Sequence, residues 1–208
     1  MALRNPPSWL QNGSHPAEND RLTAQALWAS TGIVSSSSLA VTANSPAGMS
    51  VRVASGWCVI IGDYQPNMGV YTVYNDATET LVVSTADPTN PRIDLVCATV
   101  QDSYYTGSAD DVILQIITGT PAGSPVAPAL PDNSISLATV TVGAGVGQIL
   151  SGNITDTRVL TTTNLPVGDI SSVSAGTGLQ GGGSTGAVTL SLSDNTQLQL
   201  TCYLMGAM

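Results

Sequence analysis

Between about residue 33 and residue 159 the chain is a succession of short β-branched runs, each closed by Gly, Pro, Asn or Asp. This punctuation constrains the fold more than any other feature, because it breaks helices and fences strands. Val51 and Val53 alternate with Arg52, and Tyr71 and Val73 alternate with Thr72 and Tyr74. Further runs cover 59–61, 81–83, 93–100, 112–117, 135–142 and 154–159. A Pro-rich crossing with Pro121, Pro125, Pro128 and Pro131 fills 120–133. Such spacing predicts an antiparallel β-sandwich over 33–160. Apolar runs such as 113–117 predict strands buried on both faces.

The two ends differ from this middle. Pro6, Pro7, Pro16 and the Asn12-Gly13 pair forbid long regular structure near the start, so an extended arm is expected. Leu3, Trp9 and Leu10 are apolar anchors on that arm, suited to docking on the chain's own body or on a partner. A single short helix is predicted over 18–30, capped by Asn19 or Asp20 and ended by Thr31-Gly32. The predicted divisions are a docking arm with its helix at 1–32, the sandwich at 33–160 and a glycine-rich segment at 161–208.

Charge separates that last segment from the rest. After Val159 the only charges are Asp169 and Asp194. Val188, Leu190 and Leu192 alternate with Thr189, Ser191 and Ser193, and Leu198, Leu200 and Cys202 alternate with Gln197, Gln199 and Thr201. Two hairpin strands alone are marginal in water, so an apolar stripe of this kind needs a cover. Three chains wound about a common axis would supply it. The expected homotrimer interface is Ile170, Val173, Leu179, Val188, Leu190, Leu192, Leu198 and Leu200.

Composition excludes several partners. Fourteen carboxylates face five arginines and no lysine, a net charge of -9, which cannot neutralise a run of phosphates. No nucleic-acid partner is expected. No stretch approaches the ~20 apolar residues of a membrane span, and the opening residues lack the apolar core of a signal peptide. The expected product stays in the cytoplasm where it is made, or leaves by lysis. Charged residues make up only 9%, against roughly 25% in a typical soluble domain, which suits a surface covered by copies of itself or by neighbours.

Motifs for chemistry are weak. Gly176-Thr177-Gly178-Leu179-Gln180-Gly181 fits the dinucleotide spacing, but that mechanism needs a helix to follow, and Gly182-Gly183 followed by a β-like run forbids one. His15 is the only histidine, with no cysteine or carboxylate cluster beside it for a metal. Cys58, Cys97 and Cys202 form no C-x-x-C pair, and the first two are expected as buried thiols. Asp110-Asp111 are read as a solvated turn, since no acidic residue sits in sequence among several aromatics as a sugar site requires. Arg92 with Asp94, and Asp156 with Arg158, fall on the same face of a strand and are expected to be structural ion pairs. No catalytic residue, metal or cofactor is expected.

Several stretches together resemble phage tail proteins. Arg4-Asn5-Pro6-Pro7-Ser8-Trp9-Leu10-Gln11 and Gly13-Ser14-His15-Pro16-Ala17-Glu18-Asn19-Asp20-Arg21 are similar to the opening of minor tail proteins of actinobacteriophages. Thr89-Asn90-Pro91-Arg92-Ile93-Asp94-Leu95-Val96, Gly119-Thr120-Pro121-Ala122 and Ile154-Thr155-Asp156-Thr157-Arg158 resemble their baseplate and fibre-attachment domains. The glycine-rich stretch 176–192 is similar to trimeric tail fibres. The resemblance implies a non-enzymatic virion component of the tail tip or baseplate that anchors or forms a short fibre in host attachment. Its partners would be other tail and baseplate proteins and, indirectly, a host-surface glycan. Arg4, Trp9, His15, Arg21 and Trp28 are the candidate docking contacts. The chain stops at Met208, soon after the fibre-like stretch, so a large receptor-binding head is not expected. A capsid-bound head fibre and a glycan-degrading tail enzyme are the alternatives.

Overall fold

The structure is a computed structural model that describes residues 16–106, 109–164, 172–177, 179–183 and 187–192. The chain divides into two compact units, Met1–Leu165 and Pro166–Met208. Both are built from antiparallel sheets. In the first unit, α1 (Ala17–Gln25) precedes β1 (Gly32–Ile33), β2 (Val41–Ala43), β3 (Ser50–Val53), β4 (Gly56–Ile61), β5 (Val70–Asn75) and β6 (Glu79–Val82). Then come β7 (Arg92–Gln101), the single turn α2 (Ser103–Thr106), β8 (Asp111–Ile117), β9 (Ser134–Val142) and β10 (Ile154–Asp156). The strands form three sheets, ordered β1-β4-β5, β2-β3-β6 and β10-β9-β7-β8.

All three sheets contribute to one buried apolar cluster, which includes Val51, Val53, Cys58, Ile60, Val96, Ala98, Leu137 and Val140. Alternation places these side chains. In β3, Val51 and Val53 are buried and Arg52 is exposed. In β9 the alternation changes phase, because Val96 pairs with Ala138 but Cys97 pairs with Ser136, so Leu137 is the extra residue of a bulge. Ile135 before the bulge, Leu137 in it, and Ala138, Val140 and Val142 after it all reach the core as a result.

The strand buried on both faces is β7, not β8. β7 lies between β8 and β9 and is buried from Asp94 to Val100. The 113–117 run is half-buried, because β8 is the edge strand of its sheet. The 113–117 run, interrupted by Gln115, therefore misidentified the central strand. The 118–133 crossing carries no strand, as its prolines predict.

The helix is shorter than the sequence predicts. It starts after Pro16, which makes no side-chain cap, so neither Asn19 nor Asp20 is the cap residue. Beyond Gln25 the last turn tightens, with the Ala26, Leu27 and Trp28 amides donating to the Thr23, Ala24 and Gln25 carbonyls, and from Ala29 the backbone is engaged elsewhere. The Ala29 amide donates to the Thr162 carbonyl, and the Asn164 side-chain amide donates to the Gln25 and Trp28 carbonyls. This cap comes from the far end of the unit, where no local sequence signal could place it.

The second unit, by itself, carries β11 (Val173–Ser174), β12 (Leu179–Gly183) and β13 (Leu190–Leu192) in one three-stranded sheet. Leu179 pairs with Leu192 and Gly181 with Leu190, so the three leucines share one face. All three are exposed, Leu192 by 81%.

Candidate functional site

The positions singled out by the sequence have separate fates. Arg4, Trp9, His15, Ile170, Leu198, Leu200 and Cys202 lie outside the described residues. Arg21 and Trp28, candidate tail-docking contacts, both also make contacts within the chain. Trp28 forms a backbone bridge with Thr163, and Arg21 lies at the centre of a polar cluster. Val173 and Val188 are half-buried. The Gly176–Gly181 pattern leads into strand β12, which has no helix N-terminus to offer a pyrophosphate.

Both expected ion pairs form. Arg92 Nε donates to Asp94 Oδ1 at 2.9 Å, with both side chains buried. The Arg92 guanidinium also donates to the Thr85 and Ser84 carbonyls, while Asp94 accepts from the Gly119 amide at 2.8 Å. Three chain segments thus meet at one pair. Arg158 grips Asp156 through Nε and Nη2 and donates from Nη1 to the Ser36 and Ser38 carbonyls. The Arg158 hydrogen bonds hold the Asp156 carboxyl below its usual range. Neither pair leaves the guanidinium free for a substrate, so both are staples.

Cys58 and Cys97 are buried free thiols, as the sequence predicts. Burial pushes the Cys58 thiol up to about 12 and raises Cys97 as well, so neither supplies a thiolate near neutral pH.

The arrangement with most chemical content surrounds Arg21, and it overturns the reading that no carboxylate lies among aromatics. Arg21 projects from α1 and donates from Nε to the Met68 carbonyl at 2.8 Å and from Nη2 to Tyr105 Oη at 3.1 Å. Its Nη1 lies 3.6 Å from Asp102 Oδ2. Its guanidinium lies over the Tyr71 ring at 4.8 Å and the Tyr105 ring at 5.7 Å. Tyr71 donates its hydroxyl to Asp102 Oδ2 at 2.7 Å. Burial, together with that hydrogen bond, raises the Tyr71 hydroxyl far above the ordinary phenol and keeps it protonated.

Two hollows open on this cluster, of about 470 Å³ and 480 Å³, and both are lined by Arg21 and Asp102. The first is walled by β5, the end of β7 and the start of β8, and it includes Tyr74, Asp110 and Asp111. The second includes Glu18, Tyr104 and Tyr105. Asp110 accepts from the Ser103 amide and hydroxyl, both at 2.9 Å, which fixes the α2 corner and draws its carboxyl below the ordinary value. The sequence carried one overlooked signal, the Tyr104-Tyr105 pair two residues after Asp102. Tyr71, Asp110 and Arg21 joined it only through tertiary contacts.

The depressed Asp110 carboxyl has a definite pH consequence. A lowered folded value stabilises the corner above the unfolded carboxyl pKa of about 3.9, and this is lost as pH falls through the folded value. In an NMR titration the Ser103 amide should therefore keep its bonded shift at pH 5 and move with a midpoint below about 3.9. A midpoint at or above that value contradicts the hydrogen bonding described.

Among the described residues no cluster of His, Cys, Asp and Glu could hold a metal ion. No helix among them is long and apolar enough to cross a membrane. No family model matches the chain, and neither a curated protein nor a solved structure matches it.

Proposed function

We propose that this chain is a structural virion protein of a phage tail tip or baseplate. It works as a homotrimer that anchors or forms a short fibre in host attachment, and it is not an enzyme. In this reading the first unit is a β-sandwich shoulder and the arm contacts other tail proteins. The second unit winds with its copies about a threefold axis. The sequence resemblance supplies the phage assignment.

The observation that carries the assembly is the leucine face of β12 and β13. Leu179, Leu190 and Leu192 are 40%, 43% and 81% exposed on a sheet of three short strands. Among the described residues no second layer covers this sheet, and each leucine fully removed from water contributes about 1.5–3 kcal/mol. Three chains would bury nine such side chains, enough to make association tight and dissociation slow.

Light scattering on the intact protein tests this. The expected mass is three times the 21.1 kDa chain. Leu190→Ser combined with Leu192→Ser should release a monomer whose first unit keeps its β circular-dichroism signal. A stable monomer for the unaltered chain would sink the trimer.

A further inference from the structure

We propose that the two hollows beside Arg21 are the seat of the chain's own N-terminal arm, with Trp9 on the Tyr104 ring and Arg4 at Asp110 and Asp111. The inference goes beyond the proposed function. It puts the arm on the body of its own chain before any tail protein takes it, and it holds for any number of copies.

The place where the arm leaves the body supports this. Pro16, the first described residue, lines the hollow of about 480 Å³ together with Tyr104 and Tyr105. Arg21 and Asp102 also line it, and they are shared with the hollow of about 470 Å³ that contains Asp110 and Asp111. An extended chain covers about 3.3 Å per residue, so Trp9 can lie up to about 23 Å from Pro16, and Arg4 up to about 40 Å. Both spans are ample for hollows of this size.

Arm and hollows are complementary in surface and in charge. Tyr104 is 81% exposed and meets Tyr105 edge-on, with ring centroids 5.0 Å apart. Among the described residues a large aromatic face thus stands open beside Pro16, and Trp9 and Leu10 are apolar side chains able to cover it. In the neighbouring hollow, three carboxylates face only Arg21, which is already bonded to Met68, Tyr105 and Asp102, so the lining favours a further cation. Arg92 and Arg158 are stapled to Asp94 and Asp156, and Arg52 stands on β3, in a sheet that does not line the hollow. Arg4 is the fifth arginine. No carboxylate precedes Glu18, so the arm offers positive charge alone.

Tethering selects the chain's own arm over that of another copy. A short linker holds its end at an effective concentration of about 1 mM, so contacts too weak to retain a separate chain suffice within one.

The test uses the full chain. It contains no lysine, so Arg4→Lys keeps the charge and introduces a unique side-chain amine. A zero-length carbodiimide joins that amine to a touching carboxylate, and mass spectrometry identifies the pair. Lys-to-Asp linkage from position 4 to Asp110 or Asp111 is expected, in a denatured band at the single-chain mass of 21.1 kDa. Linkage between two chains overturns the proposal, as does linkage only to other carboxylates or none. The second readout is the rate of tryptic cleavage after Arg4. Trp9→Ala and Tyr104→Ala should each raise it about tenfold, and Tyr104→Phe should leave it unchanged. Tyr104 is exposed, so its variants should keep the β circular-dichroism signal. Cleavage indifferent to Trp9→Ala and Tyr104→Ala also overturns the proposal.

Discussion

Arg92→Ala should destabilise the first unit by about 3–5 kcal/mol, the usual cost of removing one partner from a buried ion pair. The side chains of Arg92 and Asp94 are 3% and 0% exposed, so water cannot replace the missing guanidinium. Asp94 would keep the Gly119 amide alone, and its Oδ2 is already buried without a hydrogen-bond partner. The Ser84 and Thr85 carbonyls would lose their donors as well. For a unit of this size the loss corresponds to a fall in Tm of about 10 °C. Urea denaturation followed by circular dichroism measures it. Replacing both partners, Arg92→Met with Asp94→Leu, should recover part of the loss, because no lone charge stays buried. The recovery is partial because the Gly119 amide and two carbonyls still lack partners. A loss under about 1 kcal/mol for Arg92→Ala would show that the pair is solvated and the assigned burial wrong.

Gly69→Ala should be nearly as damaging, and for a different reason. Gly69 has φ +79°, a left-handed conformation that costs an L-residue about 1–2 kcal/mol. A Cβ there would also fall 2.6 Å from the Arg21 backbone carbon and 2.7 Å from the Leu22 nitrogen. Backbone cannot yield as a side-chain tip can, so α1 must lift away from the β4–β5 turn. Strain and overpacking together give about 2–4 kcal/mol, or a helix that no longer docks. Hydrogen exchange in α1 should accelerate while β7 and β9 stay protected. The Arg21 cluster would go with the helix, so Tyr71, Tyr105 and Asp102 would lose their contacts with the guanidinium in the same variant. Asn67→Gly is the control. Asn67 also has positive φ, at 65°, and glycine relieves that strain without adding an atom. Unchanged exchange in α1 of Gly69→Ala would refute the close approach of helix and turn.

Both predictions concern features that link distant parts of the chain, and these were the least legible in the sequence. Arg92 and Asp94 were legible as a pair because two residues along a strand share a face. Their other partners, near residues 84–85 and at Gly119, were not. The bulge at Leu137 shows the same limit on a smaller scale. The phase change from Ile135 and Leu137 to Val140 and Val142 is visible in the sequence, but the partner strand decides which residue is extra. Run length failed for β8, because whether a strand is central or at an edge depends on which strands pair.

Strand spacing, the Pro-rich crossing, the ion-pair faces, the buried thiols and the leucine alternation of β13 followed from local rules. Periodicity and backbone preference act between neighbours a few residues apart, so one sequence is enough to read them. The Asn164 cap on the helix end, the left-handed turn against α1 and the Arg21–Tyr71–Asp102 cluster depended on tertiary structure alone. Each joins residues separated by tens of positions or more, and their proximity follows from packing of the whole unit, which no local pattern encodes. Asp102 stands beside Tyr104-Tyr105 in the linear order, but only the fold adds Tyr71 and Arg21 to them.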